Sequence, residues 1–130
     1  MIVLDTSVLI EAVSAAHDSP IPASLRRFIE NGERLAVPSL VFYEFLRGPR
    51  RPEELAFQNA LFPLERALRF GSAEAQLSAK LYRSVPRARG RELDLAIASC
   101  AIAQDAALWT LNVRDFAGIP GLRLVSLGSH

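Results

Sequence analysis

The chain has 130 residues, 50% of them apolar, so it can bury one sizeable core but hardly two. Its longest apolar stretches are too short to cross a bilayer, and Met1 leads directly into a strand-like run, so we expect neither a membrane span nor a signal peptide. The single cysteine, Cys100, cannot form an internal disulfide and favours a reducing cytoplasm, whereas the net charge of +1 excludes little.

Short apolar runs alternate with helix-like segments along the chain. Strands are predicted at residues 2–5, 35–37, 66–70, 107–111 and 122–127. Helices are predicted at residues 7–14, 22–31, 39–47, 52–61, 73–84 and 92–105, with a loop at 85–91. This alternation predicts an α/β fold: one domain over residues 1–130, with a central parallel sheet flanked by helices on both faces.

Four acidic residues fall near one edge of this predicted sheet: Asp5, Glu44, Asp94 and Asp115. Ligands of open parallel sheets bind beyond the carboxyl ends of the strands, where Asp5 and Asp115 each follow a strand. Taken singly, Asp94 is typical of a helix-dipole residue and Glu44 of a tolerated polar position. Their shared location instead favours a site for Mg²⁺ or Mn²⁺, because carboxylates in apolar sequence need a cation or a donor.

Four segments of the chain resemble the acidic motifs of PIN-domain nucleases, and most closely those of the VapC toxins of bacterial toxin-antitoxin pairs. They are Ile2-Val3-Leu4-Asp5-Thr6-Ser7, Pro38-Ser39 followed by Glu44, residues 94–98 and residues 110–116. Their order and approximate spacing follow the family over essentially all 130 residues. The resemblance implies a Mg²⁺- or Mn²⁺-dependent endoribonuclease that forms a homodimer and is held inactive by a VapB-type antitoxin.

The resemblance also implies a role for each carboxylate. Asp5 and Asp94 are expected to bind the metal directly. Glu44 would bind it through water or orient the attacking water, and Asp115 would complete the site or help to recruit a second ion. Carboxylate-held Mg²⁺ or Mn²⁺ can both neutralise phosphoryl oxygens and activate a nucleophile at neutral pH.

Small polar residues next to these acids match the residues that support them in the family. They are Thr6, Ser7 and Thr110, of which Thr6 or Ser7 could equally cap the first predicted helix. One position departs from the pattern, because many PIN domains carry an acid where this chain has Asn112. Asp115 comes three residues later, as is common in the VapC branch, and is therefore expected to be the fourth carboxylate.

The number and placement of the histidines argue against a ribonuclease that uses a catalytic histidine pair. Histidine ribonucleases attack with the 2′-hydroxyl and pass through a cyclic phosphate, whereas metal-assisted attack by water leaves a 5′-phosphate and a 3′-hydroxyl. This chain has only His17, in a predicted loop, and His130, at its end. We therefore do not expect a catalytic histidine pair.

The basic residues are arginines with the exception of Lys80. One group comprises Arg47, Arg50 and Arg51, and another comprises Arg83, Arg87, Arg89 and Arg91. Guanidinium groups match phosphate oxygens in two-point geometry, so the second group, which leads into the helix of Asp94, is predicted to bind RNA at the mouth of the site. Arginines of this kind are equally common on ordinary solvated surfaces, and a GC-rich genome also favours them.

Three alternative functions fit the pattern less well. A haloacid-dehalogenase phosphatase needs a second Asp where Ser7 stands, and a response-regulator receiver needs a lysine after a late strand, whereas Lys80 lies in a predicted helix. The third alternative is a catalytically weak PIN-like module that binds RNA or protein without turnover. Metal-dependent cleavage by the pure protein would distinguish the nuclease from this module.

Overall fold

A parallel four-stranded sheet lies at the centre of the computed structural model, which describes residues 1–14 and 18–126. Its strands follow the order β2-β1-β3-β4. They are β1 (Ile2–Leu4), β2 (Leu35–Ala36), β3 (Ala107–Trp109) and β4 (Arg123–Leu124). The α/β architecture with a central parallel sheet is thus confirmed.

Strand β1 occupies the middle of the sheet and pairs with both neighbours. Ile2 lies opposite Leu35 on one side and Ala107 on the other, and Leu4 lies opposite Trp109. All three residues of β1 are buried, as expected for a strand covered on both faces. The N–H of Asp5 donates to the carbonyl oxygen of Trp109 over 2.9 Å, so the pairing continues one residue past the strand and reaches the first acidic position.

Seven α-helices lie in the described part of the chain. They are α1 (Thr6–Val13), α2 (Ile21–Glu30), α3 (Ser39–Arg47), α4 (Pro52–Leu61), α5 (Ser72–Ser84), α6 (Glu92–Ala103) and α7 (Val113–Phe116). Helix α6 packs against β1, β3, α3, α5 and α7, and its residues from Leu95 to Ala101 are buried. This central position explains why α6 is apolar on every side.

The strand predicted at residues 66–70 is wrong. The chain instead forms a 3₁₀ helix at Leu64–Arg66, followed by a single parallel bridge between Leu68 and Pro38. Leu68 donates to Val37 and accepts from Ser39, but α3 begins at Ser39. The segment that pairs with Leu68 therefore turns into a helix, and the pairing cannot extend into a β-ladder of more than one bridge.

Two other elements differ from the prediction. Helix α7 was not predicted, because four residues are too few to show a helical period. The last strand is confined to Arg123–Leu124, and the part of the predicted strand at residue 127 lies outside the described residues. Among residues 1–14 and 18–126, no helix is long and apolar enough to cross a membrane.

Candidate active site

Asp5 stands directly after β1 and is the N-cap residue of α1, with only 4% of its surface exposed. One carboxylate oxygen, Oδ2, accepts two hydroxyl hydrogen bonds. Ser7 Oγ donates over 3.0 Å, and Thr110 Oγ1 donates over 2.7 Å from the end of the neighbouring strand. A buried carboxylate is tolerated here because its charge is met by aligned donors.

The two hydroxyl groups are oriented by the backbone that follows β3. The N–H of Leu111 donates to Ser7 Oγ over 3.0 Å, and the N–H of Asn112 donates to Thr110 Oγ1 over 2.9 Å. Each hydroxyl oxygen thus accepts a backbone hydrogen bond and keeps its own proton for Asp5. The sequence-predicted supporting residues Ser7 and Thr110 therefore form one network with Asp5.

The second oxygen of Asp5, Oδ1, differs from the first. No described residue donates a hydrogen bond to it. Within the described residues, the only fully buried side-chain polar atom without a partner is Trp109 Nε1, so Oδ1 retains contact with solvent. Asp5 thus has one oxygen satisfied by the protein and one unsatisfied oxygen in contact with solvent, the arrangement expected of a metal ligand supported by neighbouring residues.

Glu44 lies in the middle of α3 and is held from two directions. Thr6 Oγ1 donates to its Oε1 over 2.6 Å, and Arg47 Nη2 lies 3.6 Å from its Oε2. Thr6 therefore supports Glu44 as a hydrogen-bond donor. Neither Thr6 nor Ser7 caps α1 with its side chain. The contact with Arg47, one turn along α3, was missed by the sequence analysis although the i,i+3 spacing of opposite charges indicates it.

Asp94 lies in the first turn of α6, and its side chain is partly buried. The pKa of this carboxyl is raised to about 6, mainly by burial and then by the negative charges of Asp5, Asp115 and Glu44, in that order. The charge of Arg91 acts in the opposite direction. The four predicted acids therefore share one electrostatic environment, although they come from four separate segments of the chain.

Asp115 lies on α7 and is exposed, in contrast to Asp5. Its side chain has no hydrogen bond to a described residue, but its backbone carbonyl accepts one from Arg91 Nη2. The neighbouring Asn112 is the N-cap residue of α7, and its side chain makes no capping hydrogen bond. Asp115 rather than Asn112 therefore contributes the charge that reaches Asp94.

The four carboxylates influence one another electrostatically but are not close enough to share a metal ion as they stand. In the part of the chain that the structure describes, no three acidic, histidine or cysteine side chains are grouped closely enough to hold one metal ion as they stand. Mutual repulsion favours such spacing. The donor set nevertheless fits a hard divalent cation, because it consists of carboxylate oxygens, Asp5 offers an unsatisfied one, and the nearest counter-charge to Asp94 is a single arginine.

The arginines predicted to bind RNA fall into two classes. Arg83 on α5 and Arg87 and Arg89 in the following loop are exposed, and their guanidinium groups make no hydrogen bond to a described residue. Arg87 adopts a positive φ of 56°, which non-glycine residues rarely do. Arg91 is partly buried and is bound to α7. The structure thus leaves three of these side chains accessible and places the fourth inside the acidic site.

The family profile that matches this chain is that of the PIN domain, over residues 2–122. Ribonuclease VapC19 of Mycobacterium tuberculosis is 35% identical over 130 residues, which cover 95% of this chain and 98% of the relative. Among solved structures, VapBC2 of Rickettsia felis bound to a promoter DNA fragment aligns with a TM-score of 0.72 at 24% identity, covering 96% of this chain and 98% of the matched chain. FitAcB of Neisseria gonorrhoeae aligns with a TM-score of 0.74 at 18% identity, covering 97% of each chain. At these identities the structural matches show the fold.

Proposed function

The chain belongs to the PIN domain family, and we propose that it is a metal-dependent endoribonuclease of the VapC type, neutralised by a VapB-type antitoxin. Its 35% identity to a protein named ribonuclease VapC19 supports ribonuclease activity, and VapBC complexes among its structural neighbours support an antitoxin partner. The observation that carries the proposal is Asp5, whose Oδ2 is held by Ser7 and Thr110 while its Oδ1 is left unsatisfied, together with the charges of Asp5, Glu44 and Asp115 that act on Asp94.

Asp5 and Asp94 would hold Mg²⁺ or Mn²⁺ directly, with Asp115 completing the site. Asp5 would use its unsatisfied Oδ1, because its Oδ2 is already bonded to Ser7 and Thr110. When bound, the cation would neutralise charge on the phosphoryl oxygens and make water a better nucleophile at neutral pH. Repulsion among the carboxylates would fall at the same time, so binding should also stabilise the fold.

Glu44 would orient the attacking water. Thr6 fixes one of its oxygens at 2.6 Å, which leaves Oε2 as the acceptor available to a water molecule once Arg47, at 3.6 Å, turns toward solvent or phosphate. Attack by water leaves a 5′-phosphate and a 3′-hydroxyl on the cut RNA. The two histidines, His17 and His130, lie outside the described residues and have no role in this mechanism.

The partners follow from the charges around the site. The exposed side chains of Arg83, Arg87 and Arg89 would bind phosphates of the RNA substrate. The acidic centre would suit an arginine of the antitoxin, which could pair with the carboxylates in place of metal. A homodimer and a cytoplasmic location complete the proposal, resting on the family resemblance and on the single cysteine.

Purified protein incubated with end-labelled RNA tests this function. We expect cleavage with Mg²⁺ or Mn²⁺, none in excess EDTA, and products with 5′-phosphate ends, whereas Asp5→Asn protein prepared identically should be inactive. Full cleavage in EDTA would contradict the metal-dependent mechanism. RNA binding without turnover in either metal would instead support the alternative of a catalytically weak PIN-like binding module.

A further inference from the structure

Arg91 links the two helical segments that carry Asp94 and Asp115. It immediately precedes α6, three positions before Asp94, and its side chain reaches the backbone of Asp115 on α7. We infer that Arg91 is a positioning residue for the carboxylates of Asp94 and Asp115 rather than a ligand of RNA phosphate. This inference rests on the proposed metal-dependent function and replaces the RNA-binding role predicted for Arg91 from the sequence.

The backbone of Arg91 is fixed on both sides. Its N–H donates to Ala88 O over 2.9 Å, and its carbonyl oxygen accepts from the N–H of Leu95 over 2.9 Å in the first turn of α6. The Cα atom of Arg91 therefore has a well-defined position at the N-terminus of α6, whose later turns are buried. A long arginine side chain held in this way can fix a neighbouring element relative to α6.

The neighbouring element needs such a contact. Helix α7 has only four residues, which is far below the length at which a helix is stable by itself. The Asp115 carbonyl is among the last carbonyls of α7, which have no partner within the helix, and Arg91 Nη2 donates to it. A cation at this end of a helix is also favoured by the helix dipole. Arg91 thus ties α7, and with it the Asp115 side chain, to α6.

Charge gives Arg91 a second effect in the same place. Its guanidinium is the cation that acts on the Asp94 carboxylate, against the negative charges of three other acids. Arg91 therefore offsets part of the repulsion that Asp94 experiences from the other three carboxylates. Arg87 and Arg89 have neither feature, since both are exposed and neither side chain bonds to α7. These two residues are matched controls from the same loop.

The test compares Arg91→Ala with Arg89→Ala in two measurements. Mn²⁺ affinity is measured by calorimetry without RNA, and RNA affinity is measured in EDTA over a range of salt. We expect Arg91→Ala to weaken Mn²⁺ binding by about 10-fold or more, the usual effect of removing a residue that orients metal ligands, and to leave the salt slope of RNA binding unchanged. Arg89→Ala should keep Mn²⁺ affinity and flatten that slope by about 0.7.

Two further variants separate positioning from a general loss of structure. Arg91→Lys keeps the charge and a donor, so it should recover part of the Mn²⁺ affinity. In an Asp115→Ala background, Arg91→Ala should have a clearly smaller effect than in the wild type, because the residue it positions is gone. Melting curves of all variants identify any that do not fold, and the Lys variant then carries the comparison.

The opposite pattern would overturn the inference: unchanged Mn²⁺ affinity in Arg91→Ala and Arg91→Lys, together with a flatter salt slope. An effect of Arg91→Ala that is equally large with and without Asp115 would also overturn it. Failure of the proposed function would look different, because wild-type protein would then bind Mn²⁺ without cutting RNA. The comparison of Mn²⁺ affinities among the variants would still decide the role of Arg91.

Discussion

The two halves of the acidic site are built in different ways. Asp5 is buried at the end of the central strand, and one of its oxygens accepts two oriented hydroxyl groups. Asp94 and Asp115 lie on helices, are more accessible to solvent, and are linked by the hydrogen bond of Arg91 to α7. The sheet thus supplies a carboxylate held by the β-ladder and by two hydroxyl groups, whereas the placement of the helical carboxylates depends on the contact of one arginine. With this division, Asp5 would set the position of a bound metal, and Asp94 and Asp115 would complete its coordination.

The rigidity of the first half comes from the β-ladder. Strands β1 and β3 pair through Leu4 and Trp109, and the next residues, Asp5 and Thr110, continue side by side. The contact between Thr110 Oγ1 and Asp5 Oδ2 therefore needs no long side chain and loses little conformational entropy. The second half depends on an arginine, whose ordering costs more, so we expect it to be the more easily perturbed.

Removing either of the two carboxylates expected to bind the metal directly, one in each half, should give the largest effect. We expect Asp5→Asn and Asp94→Asn each to lower cleavage by more than about 100-fold, beyond the usual effect of changing a supporting residue. Both variants should also lose the rise in melting temperature that we expect Mg²⁺ or Mn²⁺ to produce in the wild type. Single-turnover cleavage and thermal melting with and without metal measure this. Near wild-type cleavage by Asp94→Asn would mean that Asp5 and its hydroxyl network are sufficient for cleavage without the Asp94 carboxylate.

The hydroxyl network should show the next largest effect. Thr110→Val keeps the shape of the side chain but removes the 2.7 Å hydrogen bond to Asp5, so we expect about 10- to 100-fold lower metal affinity or activity. Thr110→Ser restores a hydroxyl and should recover much of the loss. Metal titrations of the two variants provide the measurement. If Thr110→Val matched the wild type, the orientation of Asp5 would have to come from Ser7 and the backbone.

Asp115 tests the half of the site that lies on helices. Because its side chain is exposed and acts on Asp94 by charge, we expect Asp115→Asn to lower activity by about 10-fold, at the lower end of the range for supporting residues. Asn112→Ala should have far less effect, and Asn112→Asp, which restores the pattern of many PIN domains, should be tolerated. Cleavage rates at saturating metal distinguish these variants. Equal rates for Asp115→Asn and wild type would assign Asp115 a structural role.

The same division explains what could be predicted from the sequence. The position of Asp5 beside Thr110 follows from two apolar runs that end in polar residues, because parallel strands bring their carboxyl ends to one edge. The hydrogen bond of Arg91 to Asp115 could not be predicted, since it joins a side chain to a backbone carbonyl 24 positions away. The strand predicted at 66–70 was wrong for a similar reason: local preference was present, but the partner strand turned into α3 at Ser39.

The smallest expected effect is that of Asp94→Asn on the pH dependence of the free energy of unfolding. Because the pKa of Asp94 is raised from 3.8 to about 6, its carboxyl contributes stability that is present below pH 3.8 and is lost as pH rises through about 6. In EDTA at pH 7, Asp94→Asn should therefore be more stable than wild type, by about 1 to 2 kcal/mol after allowance for solvent screening. The advantage should disappear near pH 4, where the wild-type carboxyl is largely protonated.

Urea unfolding at several pH values measures this difference, and the exposed acid Glu65 offers a matched control, because Glu65→Gln removes a charge outside the site. That control should show no comparable stabilisation at pH 7. Mg²⁺ should reverse the order of wild type and Asp94→Asn, since only the wild type keeps all its carboxylates to bind the cation. An Asp94→Asn advantage that does not change with pH would mean that the ionisation of Asp94, disfavoured by burial and by the charge of Asp5, is not what destabilises the metal-free protein.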